Sequence, residues 1–220
     1  MHMYIKALFK VAGKYAPSRS ISFDIVHIFK TFQLIEDRGH VSRGLLSKEL
    51  ALGGGIVKTL IKHLKMQGMI HTTKTGTKMT EKGKSIYSHL RSSVPAELNV
   101  PKCSVALGKF NYAVLLKKYN FAIKSGIEQR DAAIKMGAKG ATTMLFKDGR
   151  FAMPSTKGTF DPLHTEPEIH KLLISRLQPI EDGDAIIIGS EHGSKKRAEL
   201  AAKSAALLTI MNHEKHDNHF

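Results

Sequence analysis

Apolar residues return at helical spacing through most of the first ninety positions. Ile5, Leu8, Phe9 and Ala12 fall at i, i+3, i+4 and i+7 with lysines opposite, which predicts a short amphipathic helix within residues 4–15. Its lysines favour packing on a neighbouring domain or a second subunit over a membrane surface. Pro17 and its flanking serines break the pattern. Ser22 is the expected cap of a longer helix in which Ile25, Ile28, Phe29, Phe32 and Ile35 recur until Gly39 ends it. Ser42 caps a two-turn segment striped by Leu45, Leu46 and Leu50, which closes in Leu52-Gly53-Gly54-Gly55. Val57, Leu60, Ile61 and Leu64 then mark the buried side of the next helix. Lys58, Thr59, Lys62 and His63 are left on its other side before Gly68 stops it. Residues 69–73 and 78–80 read as strands around a hairpin tip bent at Gly76, and Thr80 caps a helix over 81–90. After the short first helix the predicted order is helix, helix, helix, hairpin, helix.

The pattern changes beyond Pro95. Pro95 and Pro101 bracket a stretch of little periodicity, which puts a domain boundary near 96–101. Residues 104–110 read as a strand, and 112–123 fit a strand or a helix equally. A helix is expected over 127–136, with Ile127, Ala132 or Ala133 and Met136 inward. A strand over 141–146, a turn at Lys147-Asp148-Gly149 and a partner strand over 150–153 follow. Pro162 and Pro167 precede a helix over 168–177, and residues 184–189 form an apolar run of the kind buried on both faces. The last helix, 194–211, carries alanines at 198, 201, 202, 205 and 206, which permit close packing on a sheet. The predicted class is α/β, α+β overall: a domain over 1–95, then a small α/β domain with a mixed sheet over 96–220.

Composition narrows the class of function. At 220 residues and 42% hydrophobic, the chain is long enough for one large or two small globular domains. No stretch approaches the roughly 18 apolar residues of a membrane span, and the N-terminus lacks the continuous apolar region of a secretion signal, so a cytoplasmic protein is expected. Cys103, the single cysteine, forms no intramolecular disulfide and is expected as a small buried hydrophobe rather than a reactive thiol. The 34 basic and 19 acidic residues leave a net charge of +15, whose field attracts polyanions. The excess is uneven, with 16 basic and 6 acidic residues in 1–98 against 18 and 13 in 99–220. Residues 54–84 alone hold seven lysines and one acid, Glu81. Such a run is solvated surface unless the order of elements gives it a purpose.

That order carries a resemblance. Leu46-Ser-Lys-Glu-Leu, Gly55-Ile-Val-Lys-Thr-Leu-Ile-Lys-His-Leu, Gln67-Gly-Met-Ile and Met79-Thr-Glu-Lys-Gly resemble the winged helix-turn-helix of prokaryotic transcription regulators over about residues 23–90. Through Gly126-Ile-Glu-Gln-Arg-Asp-Ala-Ala-Ile and Gly137-Ala-Lys-Gly-Ala-Thr-Thr, the whole chain looks like archaeal winged-helix proteins that carry a C-terminal domain of unknown function. The resemblance implies binding of double-stranded DNA by the first domain. Base edges are read by hydrogen bonds and phosphates by cations, so Lys58 and Thr59 near the start of the recognition helix are the leading candidates. Lys62 and His63 follow it, Lys74 and Lys78 flank the wing tip, and Arg43 and Lys48 are backbone candidates. Where many such domains have a polar cap, this chain has Gly53-Gly54-Gly55. Those glycines either expose amides to a phosphate or let the turn pass close to a neighbouring helix.

Two places in the second half have the composition of a ligand site. Gly189-Ser190-Glu191-His192-Gly193-Ser194 joins a buried strand to a helix, which is anion geometry and equally a plain turn, since the P-loop lysine and serine are missing. Arg130, beside Gly137-Ala-Lys-Gly, offers a planar fork to a carboxylate or phosphate, or pairs with Asp131 or Glu128. A small-molecule effector pocket between the two places is the expectation. No nucleophile with a local base stands out, so no enzyme, catalytic residue or cofactor is expected. His213, His216 and His219 with Glu214 and Asp217 have metal-ligand chemistry, but terminal residues fray and no metal is expected. The leading function is a DNA-binding regulator, a homodimer because two half-sites multiply modest affinity, with no membrane partner. Its rivals are an enzyme on a phosphorylated metabolite and a protein-protein interaction module.

Overall fold

The computed structural model describes residues 2–13, 22–154 and 161–216. The expected break at Pro17, and Asp217 and His219 of the histidine tail, lie outside them, as do the side chains of Glu214 and His216. The chain divides into two compact units, Met1–Arg91 and Ser92–Phe220.

The first unit is built on helices α1 (His2–Ala12), α2 (Ile25–Arg38), α3 (Arg43–Leu50), α4 (Gly54–Met66) and α5 (Glu81–Ser93), with a hairpin of β1 (Ile70–Thr73) and β2 (Gly76–Met79) before α5. Helix α1 turns the buried Leu8 and Val11 onto α2 and α4 of its own unit, where a neighbouring domain or subunit had been expected. Helix α2 starts at Asp24, not at Ser22. The Asp24 carboxylate accepts the Ile25 N–H at 2.6 Å, and the Asp24 N–H donates to His27 Nδ1 at 2.9 Å, closing a reciprocal cap. Phe29, Phe32 and Ile28 are fully buried at the centre of the unit, each contributing roughly 1.5–3 kcal/mol by leaving water. Ser42 caps α3 as expected, accepting the Leu45 N–H at 3.1 Å.

Two of the phrases that carry the resemblance meet in space. The Thr80 hydroxyl donates to the Gly68 carbonyl at 2.7 Å and accepts the Gly83 N–H at 3.2 Å, so one side chain caps α5 and ties it to the end of α4. Gly83 lies against the Met69 carbonyl oxygen, where a Cβ has no room. The hairpin is thereby clamped between α4 and α5.

The second unit is a five-stranded sheet covered on both faces. Its strands β3 (Glu97–Val100), β4 (Phe110–Leu116), β5 (Gly140–Lys147), β6 (Arg150–Ala152) and β7 (Ala185–Glu191) stand in the order β3-β4-β7-β5-β6. Helices α6 (Ile127–Lys135) and α8 (Lys195–His216) cover one face, and α7 (Pro167–Arg176) covers the other. Every strand pair is antiparallel, which corrects the expected mixed sheet. The reason is strand order. Helix α6 connects β4 to β5 and α7 connects β6 to β7, and each linked pair does run in one direction, but an oppositely directed strand sits between its members. Spacing along the chain shows the crossover and hides the intervening strand.

Strand β7 is buried at every residue, as its apolar run predicts. Gly189 lets α8 lie directly on it, since a Cβ there would come within 2.5 Å of the Ala198 oxygen. Three other expectations change. Residues 104–109 are not a strand: the Asn111 amide binds both the Gly108 N–H and the Gly108 carbonyl at 2.9 Å, curling the segment before β4 begins at Phe110. The stretch expected to be a linker contains β3, which pairs with β4. In α6, Gln129, Ala132 and Ala133 turn inward while Ile127 faces solvent. Cys103 is half-buried, and burial raises its thiol pKa. Among the described residues, no helix is long and apolar enough to cross a membrane.

Candidate functional site

In the first unit, α4, the N-terminus of α3 and the hairpin enclose a groove of about 750 Å3. Arg43 comes from the first turn of α3, Lys58, Lys62 and Lys65 from successive turns of α4, and Lys74 from the hairpin tip. The spacing explains the convergence: positions 58, 62 and 65 lie at i, i+4 and i+7, on one exposed stripe beside the buried Val57, Leu60 and Leu64. No residue lining the groove is acidic. Among the described residues, the side chains of Arg43, Lys58, Lys62 and Lys74 have no hydrogen-bond or ion-pair partner. Lys65 Nζ donates to the Thr72 hydroxyl at 3.1 Å. At the hairpin tip the Thr73 hydroxyl donates to the Gly76 carbonyl at 3.1 Å.

Not every expected residue reaches this groove. His63 is corrected: it is 7% exposed, and its Nδ1 donates to the Val11 carbonyl at 2.9 Å. The α4 pattern alone leaves that flank open, but α1 packs across it. Lys78 faces the other side of the hairpin, because it pairs with His71 while the neighbouring pair Thr72 and Thr77 lines the groove. Lys48 and Thr59 are exposed and outside it, and the Thr59 hydroxyl donates back to the Gly55 carbonyl at 3.1 Å. Lys65, which the sequence reading counted only as charge, is the addition, and the i+7 step from Lys58 is the signal that marks it.

A Cβ at Gly53, Gly54 or Gly55 would meet nothing within 4 Å, so close packing does not require them. Gly53 caps α4 without a side-chain hydrogen bond. The open backbone at the positive end of α4 therefore stands clear of side chains.

In the second unit, Arg130, Ser190 and His192 come together in a smaller concavity of about 220 Å3, joined by Lys139. The other residues of the glycine-rich connection do structural work. Gly189 is covered by α8, the Gly193 N–H donates to Glu191 Oε1 at 3.0 Å, and Ser194 accepts the Arg197 N–H at 3.3 Å. That Gly193 hydrogen bond holds the Glu191 carboxyl below its ordinary pKa. Arg130 does pair with Asp131, at 3.0 Å. Ser190 donates to Asn111 Oδ1 at 2.8 Å, so its hydroxyl is held by an amide and not by a base. Among the described residues, no three His, Cys, Asp or Glu side chains gather as metal ligands do.

Comparison with known proteins adds a family for one half and a fold relative for the whole. No curated protein matches the chain. The hypothetical protein PH0730 from Pyrococcus horikoshii OT3 is similar over 88% of this chain and 95% of its own, at 27% identity and a TM-score of 0.67. Residues 107–210 match the family described as a domain of unknown function, DUF4443, so the C-terminal half of this chain carries that domain.

Proposed function

We propose that this protein is a DNA-binding transcriptional regulator whose first unit is a winged helix-turn-helix. In this reading α3 and α4 form the helix-turn-helix, α4 is the recognition helix, and the β1–β2 hairpin is the wing. The helix-hairpin order is compatible with it. The observation that carries the reading is the groove in which Arg43, Lys58, Lys62, Lys65 and Lys74 converge without one carboxylate. Like charges held together repel, and among the described residues no carboxylate lines the groove to compensate them, so the arrangement fits a polyanion that does. Lys58 and Lys62 meet phosphate or base edges, Lys74 reaches the backbone beside the wing, and the bare N–H groups of Gly54 and Gly55 donate to a phosphate at the helix's positive end. The fit to backbone is better than the fit to bases, and modest sequence specificity follows.

The second unit senses a small molecule, dimerises the protein, or both. Its concavity holds no nucleophile with a base, which favours a sensor over an enzyme. The apolar residues Leu8 and Val11 of α1 are buried within the first unit, which disfavours a protein-interaction module built on that helix. The test is a fluorescence-anisotropy titration against random-sequence and genomic duplexes at several salt concentrations. The reading expects affinity that falls steeply with salt, with a subset of genomic fragments retained at high salt. Absence of binding at low salt would overturn it.

A further inference from the structure

We propose that the concavity at the end of β7 binds a small oxyanion, a metabolite presenting a carboxylate or phosphate group; the proposal rests on the reading of the second unit as a sensor and names the site and chemistry of its ligand. Three separate segments deliver cationic or ionisable side chains to one place: Arg130 from α6, Lys139 from the turn before β5, and His192 from the connection between β7 and α8. Among the described residues, the side chains of Lys139 and His192 make no hydrogen bond or ion pair, and Lys139 acts on the Glu191 carboxylate through its charge alone. Arg130 Nε and Nη2 both donate to Asp131 Oδ1, at 3.1 and 3.0 Å, which fixes the guanidinium plane and leaves Nη1 to a ligand. A planar fork held in place beside a mobile point charge is the usual equipment for an oxyanion.

The nearby carboxylates offset this field only in part. Asp131 is spent on Arg130. Glu191 is engaged first by its own loop and by α8, with Oε1 accepting the Gly193 N–H and lying 3.8 Å from Arg197 Nη1, and Lys139 acts on it only through its charge. The wall opposite is rigid: Asn111 holds both polar groups of the Gly108 backbone and accepts the Ser190 hydroxyl, and Gly108 lies where a Cβ would come within 2.6 Å of the Glu191 nitrogen. At about 220 Å3 the space is below the roughly 300–1,000 Å3 of sites for drug-sized ligands, so the occupant is small.

The full-length protein, labelled with 15N, is titrated with inorganic phosphate and separately with acetate, at constant ionic strength maintained with chloride. The expected result is saturable shifts at the amides of Lys139, Gly140, Ser190 and His192 with at least one of the two anions, the better anion identifying phosphate or carboxylate as the ligand group. In the Arg130→Gln, Lys139→Gln double variant, whose two altered side chains are exposed, binding weakens at least tenfold. Shifts that rise linearly with both anions, shifts confined to the basic groove of the first unit, or undiminished affinity in the folded variant would overturn the proposal. Should the variant not fold, the position and saturation of the wild-type shifts decide alone. DNA binding by the same variant without added anion is expected to equal wild type, so failure at this site and failure of the DNA reading leave different traces.

Discussion

The lysines of the first unit's groove and those buried in the second unit's core are treated in opposite ways. In the first, Lys58, Lys62 and Lys74 stand exposed around a groove, without partners among the described residues. In the second, Lys203 is 1% exposed in the middle of α8, with Nζ 2.6 Å from Glu199, 3.1 Å from Glu97 and 5.5 Å above the Tyr112 ring. Lys117 likewise meets the fully buried Asp184 at 2.8 Å, and Asp184 also accepts the N–H groups of Lys118 and Glu181. A lysine that leaves water needs its charge met, so the paired lysines belong to the architecture. The unpaired ones are dispensable to it. Net charge counts both kinds alike; partnering separates them.

The largest effect that tests this contrast is Lys203→Ala, which strands two carboxylates beside a cavity and should lower unfolding free energy by about 3 kcal/mol in denaturant titration. Lys58→Ala should change it by less than about 0.5 kcal/mol. Comparable losses for the two would erase the distinction. Gly83→Ala tests whether the first unit's hairpin clamp is structural, because its Cβ would press on the Met69 carbonyl; a loss of about 1–3 kcal/mol is expected. Gly55→Ala should do the reverse, stabilising α4 by about 0.5–1 kcal/mol while weakening DNA binding. Unaltered DNA affinity in that variant would show that no phosphate approaches the Gly55 backbone closely enough to meet a Cβ.

The smallest effect is in pH. Burial lowers the His27 pKa from its ordinary value of 6.5, and protonation of Nδ1 would break the hydrogen bond from the Asp24 N–H. The unfolded chain therefore takes up this proton first as pH falls. The His27 contribution is fully present above about pH 6.5 and is lost as pH drops toward the folded-state value. Thermal unfolding followed from pH 7.5 to 5 should show the decline, and His27→Gln should flatten it.

Much of the first unit was legible because its signals are local. Helical spacing, the Ser42 and Thr80 caps and the glycine stops each act within a few residues, and they placed the groove lysines on one side of α4. His63 was misplaced because its cover, α1, arrives from 52 positions away. Lys78 flanks the hairpin tip, as expected, but on the face away from the groove, because the face of a hairpin residue depends on register. In the second unit the helices, β7 and its turn into α8 were readable, whereas strand order was not, since antiparallel pairing is set by which strand enters the gap. The Lys203 cluster was hidden for a similar reason: Glu97 is far away in sequence and lies in a stretch that reads as linker.

The central claim is that the unpaired lysines exist for a polyanion. Its most direct test compares wild type with the Lys58→Ala, Lys62→Ala double variant in DNA titrations from low to high salt, with circular dichroism confirming an unchanged fold. The account predicts weaker binding and a salt dependence whose logarithmic slope falls by about two, one for each lysine. Unchanged affinity and slope in a folded double variant would contradict it.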